Sequence, residues 1–239
     1  MNKKVSVTLF AMLCILGLWL LEAQAAPPAD PSTTASIGGT VKLDGTPPKA
    51  AKIDMSQDAA CKGVNTAETY VVDGGNLANV FVYVKDGLSG TFDAPKDAVT
   101  IAQQGCKYHP HVLGVMVGQN IEVKNDDPTT HNIHPTPQDN REWNMTQPPN
   151  GAPIVKNFAR EEIMLPVKCN IHPWMRMYIN VVKNPFYAVT GADGKYQIKG
   201  LPPGTYTIAF VQEKLGEKTQ KVTVAAKDSK TVDQTFKMP

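Results

Sequence analysis

Cys169-Asn170-Ile171-His172-Pro173-Trp174-Met175-Arg176-Met177-Tyr178-Ile179-Asn180-Val181-Val182 carries the reading of this chain, because a loop rich in soft donor atoms runs straight into a β-type run. Cys169, His172 and Met175 stand at Cys-x2-His-x2-Met spacing, so one short loop can turn a thiolate, an imidazole and a thioether toward one point. Runs like Met177 to Val182 recur throughout: Ser36 to Leu43, Asn79 to Lys85, Val112 to Val117, Asn120 to Lys124, Lys195 to Lys199, Thr205 to Phe210 and Lys218 to Val224. Gly, Pro, Asn and Asp separate them, and many short strands with turn residues between predict an all-β sandwich or barrel. Val80, Val82 and Val84 on one face, with Phe81 and Tyr83 on the other, predict a strand buried on both sides. Tyr206, Ile208 and Phe210 alternate with Thr205, Thr207 and Ala209, the pattern of a half-buried strand. Asp193-Gly194 is a hairpin signal, and only Pro153 to Glu162 offers a weak helical pattern.

The first residues read as an export signal. Lys3 and Lys4 precede the apolar run Val5 to Leu21, and Ala23-Gln24-Ala25 is a small-x-small cleavage site, so residues 1–25 are expected to be removed. Cys14 follows Leu13 rather than a small residue, which argues against a lipid-anchored cysteine. Residues 26–35 read as a flexible leader. The expected compartment is the periplasm or the exterior, with no membrane span after signal cleavage. A net charge of +2 without a clustered basic excess gives no support for nucleic-acid binding. Cys61, Cys106 and Cys169 remain after the signal. An oxidising compartment favours pairing, so Cys61 and Cys106 are expected to form a disulfide, the alternative being two free thiols. In the chain-entropy model such a bridge adds roughly 3–4.5 kcal/mol before any strain is subtracted.

Cys169 is then the odd thiol. Upstream lies Thr130-His131-Asn132-Ile133-His134, just after Asn125-Asp126-Asp127-Pro128-Thr129. Two imidazoles, a thiolate and a thioether suit copper, because Cu(I) prefers soft sulfur while imidazole serves both oxidation states. A His2Cys set with a weak, distant Met is the ligand arrangement of blue-copper electron-transfer centres. Other readings of Cys169 are a buried apolar thiol, a catalytic nucleophile, which gives Met175 no role, and a structural zinc ligand, for which a thioether is a poor fourth donor. A dinuclear copper centre would want a second cysteine on the loop, and none is present.

These two motifs resemble those of the cupredoxins, the amicyanin- and plastocyanin-like blue copper family. Tyr108 to Asp126 is similar to the strand pair that leads to the first histidine in that family. The resemblance covers about 80 residues and implies a Greek-key sandwich holding one copper ion, Cu(II)/Cu(I), by His131, Cys169, His172 and an axial Met175. It implies that Asn132 ties the first-histidine loop to the cysteine loop. It further implies that His172, Pro173 and Trp174 form a surface patch for electron exchange. Lys168 and Arg176 flank that patch and favour an acidic redox partner, such as a c-type cytochrome or a dehydrogenase. The proline-rich stretch Gln138 to Lys156 departs from the family pattern. His134 could replace His131 as ligand, although the family match favours His131. His109 and His111, with Cys106 nearby, could make a second metal site; surface or turn histidines are the plainer reading. Met177 is expected to pack in the core.

Thr190 to Tyr206, with its Leu201-Pro202-Pro203-Gly204 turn, resembles the carboxypeptidase regulatory-like (prealbumin-like) β-sandwich family. Ile37 to Gly45 looks like the opening strand of the same family and Leu77 to Gly87 like its next. The implied organisation is a regulatory-like sandwich split into 36–95 and 184–239, with the copper unit inserted as 96–183; tandem domains are the alternative. The expected function is that of an electron carrier and not an enzyme, since no nucleophile elbow, catalytic histidine trio or paired carboxylates can be read. The rivals are a periplasmic copper-holding or delivery protein and a cell-surface or polysaccharide-binding module.

Overall fold

The structure, a computed structural model, describes residues 33–239; the expected signal segment 1–25 and most of the leader 26–35 lie outside the described residues. All the regular elements described are strands, and no helix among these residues is long and apolar enough to cross a membrane. The stretch Pro153 to Glu162, read as a weak helix, instead supplies the strand Ile154–Lys156. Ile154 is drawn into the core while the backbone pairs antiparallel with Ile121 to Val123, so tertiary burial overrides a weak local preference.

The strands form two sandwiches. In the first, Ala35–Asp44 pairs antiparallel with Lys195–Leu201 and parallel with Ser229–Thr231 and Gln234–Lys237. Its facing sheet has the order Tyr187–Val189, Phe81–Asp86, Gly204–Gln212, Gly216–Val224. Both sheets therefore combine strands from before residue 95 and after residue 184. The second sandwich lies wholly between them in sequence. One of its sheets runs Ile154–Lys156, Ile121–Asn125, Val99–Gln103, Tyr108–His109. The other runs Met145–Gln147, His131–Pro135, Glu162–Lys168, Arg176–Val182, Val112–Met116.

Phe81–Asp86 shows how the units join. Val80, Val82 and Val84 point into the first sandwich, whereas Phe81 and Tyr83 pack against Val112 and Val182 of the second. The neighbouring strand Gly204–Gln212 follows the same logic, and Ala209 and Val211 are buried in that junction. The expected half-buried pattern holds at Thr205 and Thr207, which are exposed and partly exposed, and ends at Ala209, where the second face meets the other sandwich rather than water. Gly114 permits the approach, because a Cβ there would lie 2.6 Å from the Tyr187 ring and 2.7 Å from Phe81.

Two further expectations change. Asp193-Gly194 does turn the chain, but Val189 pairs with Phe81 and Lys195 with Thr40, so the turn passes from one sheet to the other and makes no hairpin. Gly194 is required there: φ is +68° and a Cβ would meet the Val41 carbonyl oxygen at 2.6 Å. The block 36–95 is also not uniform. Lys52–Ile53 pairs with Asn65–Thr66, and Met55 and Cys61 join the core of the second sandwich. Cys61 is bonded to Cys106 across a sequence separation of 45. A segment from the first part of the chain therefore lies over the inserted unit, beside the candidate ligands.

Candidate metal centre

His131 opens the strand His131–Pro135, fixed on one side by pairing with Gln147 and its neighbours. Cys169 follows Glu162–Lys168, and the loop returns to Arg176–Val182. That loop is closed by its own backbone: the Cys169 amide donates to the Met175 carbonyl at 3.2 Å and the Met175 amide to the His172 carbonyl at 2.9 Å. His131, Cys169, His172 and Met175 are all buried, and the donor atoms of the first three lie within 4.8 Å of one another. His131 Nδ1 faces His172 Nδ1 at 2.8 Å, and Cys169 Sγ lies 3.9 Å from His172 Nδ1. Met175 closes the loop within the same core.

Each imidazole is held from behind by a carboxylate. His131 Nε2 lies 2.8 Å from Asp127 Oδ2, and His172 Nε2 lies 2.9 Å from Asp58 Oδ2. A carboxylate accepts only, so each Nε2 is set to donate outward, which leaves the two Nδ1 atoms, 2.8 Å apart, to share a proton or to offer their lone pairs to a cation. Burial holds the pKa of His131 below the ordinary histidine value, against the pull of Asp127. Two imidazole nitrogens and a sulfur converging in a buried space could hold a cation, and imidazole with thiolate fits copper. Asp127 is itself anchored, accepting from the Gly105 amide at 2.7 Å and the Cys106 amide at 2.8 Å. The Thr129 hydroxyl, the Ala60 amide and His172 pull Asp58 down to about 2, so it stays a carboxylate.

Asn132 links the two loops. Its Oδ1 accepts from the Asn170 amide at 2.8 Å and the Ile171 amide at 3.3 Å, and its Nδ2 donates to Asn144 Oδ1 at 2.7 Å. Cys169 Sγ receives the amides of Asn132 at 3.5 Å and His172 at 3.4 Å, the polar surroundings that tune a metal thiolate. The Tyr108 hydroxyl donates to the Asn132 carbonyl, and burial, then the charge of Cys169, pushes that phenol well up.

The expected surface patch needs correction. His172 is only 2% exposed, because Asp58 covers its outer nitrogen. Pro173 is exposed, whereas Trp174 is half-buried, donates to the Cys106 carbonyl at 3.1 Å and packs 5.1 Å from the His172 ring. His134 faces away, toward Asn170 Oδ1 at 3.0 Å and Glu142 Oε1 at 2.6 Å. His109 meets the Gln104 carbonyl, and the Cys106 sulfur is spent in the disulfide, so the trio of His109, His111 and Cys106 is not assembled as a second site. Met177 is in the core. Sequence reasoning missed both carboxylates. Asp127 left a signal, four residues before His131; Asp58 left none, since only folding brings it near.

The profile of the carboxypeptidase regulatory-like domain matches residues 178–238. No curated protein matches the chain. Among solved structures, a copper-containing nitrite reductase from Thermus scotoductus SA-01 aligns at 21% identity and TM-score 0.35, over 43% of this chain and 25% of that one. The chain thus spans about a quarter of the reductase's length. A purple cupredoxin from Nitrosopumilus maritimus aligns at 24% identity and TM-score 0.30, over 36% of this chain and 99% of that one. A copper(I) form of an amicyanin variant aligns at 18% identity and TM-score 0.32, over 42% and 97%.

Proposed function

We propose that this chain is an exported carrier of single electrons that holds one copper ion between His131, Cys169 and His172, with Met175 as the weak fourth donor. The observation that carries the reading is the pair of Nδ1 atoms 2.8 Å apart, each imidazole fixed from behind by a carboxylate, with the Cys169 sulfur beside them. Bound copper supplies the one-electron Cu(II)/Cu(I) couple. The protein's part is to hold its donors still. Asp127 and Asp58 set the tautomers, Asn132 ties the loops, and the backbone amides of Asn132 and His172 support the thiolate.

Asp58, Trp174 and the Cys61–Cys106 bridge roof the site. Such a roof suits electrons crossing a thin protein wall better than a substrate reaching the ion, which supports carrier over enzyme. It also favours a resident ion over one that is handed on. The partner is a redox protein of the c-type cytochrome or dehydrogenase kind. It would meet the exposed Ile171 and Pro173, with the exposed cations Lys168 and Arg176 drawing an acidic surface. The test is a visible spectrum of the copper-loaded chain, before and after reduction. An intense band that bleaches reversibly supports the reading; copper bound without that band overturns it.

A further inference from the structure

A second group of polar side chains shares a cavity with the end of the Cys169 loop. A cavity of about 290 Å³ is lined by Met175, Trp174, Tyr178, His111, Glu68 and Glu213, among others. His111 belongs to the inserted sandwich, where its carbonyl accepts from the Tyr178 amide at 2.9 Å. Glu213 belongs to the other sandwich, in a turn braced by Gln212 Oε1, which accepts from the Lys214 and Leu215 amides at 2.8 and 2.9 Å. Gln212 Nε2 also reaches the Thr69 carbonyl at 2.6 Å. The backbone that carries both residues is therefore held by its own hydrogen bonds.

Three of their polar atoms lack a hydrogen-bond partner among the described residues. The His111 and Glu213 side chains are 9% and 6% exposed. Neither ring nitrogen of His111 nor Oε1 of Glu213 has a hydrogen-bond partner among the described residues. Buried polar groups are nearly always satisfied, and leaving a carboxylate unsatisfied is costly. His111 Nε2 and Glu213 Oε2 are 3.7 Å apart and His111 Nδ1 and Glu68 Oε2 4.0 Å, within ion-pair range but too far for a hydrogen bond. The first distance is close to the separation of two donors each about 2.0–2.1 Å from one tetrahedral ion, roughly 3.4 Å. Burial would raise the pKa of Glu213, but His111, Tyr178 and Thr69 outweigh it, so it faces the cavity as an anion. Of the nearby cations, Lys107 is paired with Glu68 at 3.0 Å, and Arg176 and Lys214 are exposed at the rim.

We propose that His111 and Glu213 form a second, exchangeable site for a divalent cation of the zinc or cupric class, completed by water in the cavity and bridging the two sandwiches. One imidazole and one carboxylate are donors that both ions accept, and two protein ligands make the ion exchangeable rather than structural. The site does not depend on the copper reading of the Cys169 loop.

The test titrates Zn²⁺ alone by calorimetry into the full chain with its disulfide intact, and into His111→Gln, Glu213→Gln and Cys169→Ser. The expected result is a binding step in the parent chain that weakens at least tenfold in the first two variants and persists in Cys169→Ser. Cu²⁺ added to Cys169→Ser should show a tetragonal resonance spectrum whose one-imidazole component disappears when His111→Gln is added. If the parent chain shows no such step, the cavity holds water only and the proposal is wrong. It is equally wrong if the step is unchanged in both variants while circular dichroism shows them folded. Failure of Cys169→Ser to remove any other step would count against the electron-carrier reading alone.

Discussion

Asp58 Oδ2 lies 2.9 Å from His172 Nε2 and 2.7 Å from the Thr129 hydroxyl, so one carboxylate from the chain's first part braces both the ligand loop and the approach to His131. A carboxylate behind a ligand imidazole stabilises the more positive oxidation state of a bound ion. Asp58→Asn is expected to raise the reduction potential by tens of millivolts, where about 59 mV corresponds to a tenfold change for a one-electron couple. Redox titration checks it; an unchanged potential would mean that solvent already screens this charge.

The disulfide holds that carboxylate in place. Replacing Cys61 and Cys106 together by Ala removes a link across 45 residues, worth about 4 kcal/mol in the chain-entropy model. Denaturant unfolding should show a loss of that order. Copper release to a chelator should also become faster, because the Asp58 segment is then free to lift.

Cys169→Ser exchanges a soft thiolate for a hard hydroxyl at the centre of the donor set. The intense visible band of the copper-loaded chain should vanish while the fold, read by circular dichroism, stays. Persistence of the band would identify another source for it.

Asn132→Ala strips the side chain that accepts the Asn170 and Ile171 amides and donates to Asn144. Loss of about 1–3 kcal/mol is expected, the usual cost of leaving such groups unpaired. A fall in thermal midpoint with broadened spectral bands would show that the loops had loosened.

Gly114→Ala tests the junction between the sandwiches. The added methyl meets the Tyr187 and Phe81 rings inside 3 Å, and overpacking of this kind costs about 1–3 kcal/mol. Calorimetric scanning should show a lower midpoint, or two transitions in place of one if the sandwiches part.

Much of this was legible from local pattern, and particular residues show why. The alternation of Val80, Val82 and Val84 with Phe81 and Tyr83 marked a doubly buried strand, since side-chain direction in a strand depends only on parity. Pro153 to Glu162 misled because a short stretch with weak periodicity takes the form its neighbours impose, here pairing with Ile121 to Val123. His172 was expected at the surface because the resembled family implies it, whereas Asp58, distant in sequence, covers it here.

The donor loop follows from local order along the chain. Cys169, His172 and Met175 are close along the chain, and their spacing needs only a turn to bring them together. What surrounds it comes from long-range packing: Asp58 reaches His172 across 114 residues, and Glu213 approaches His111 from the other sandwich. Such meetings leave no periodicity to read, because they follow from how two domains and a bridged segment pack against one another.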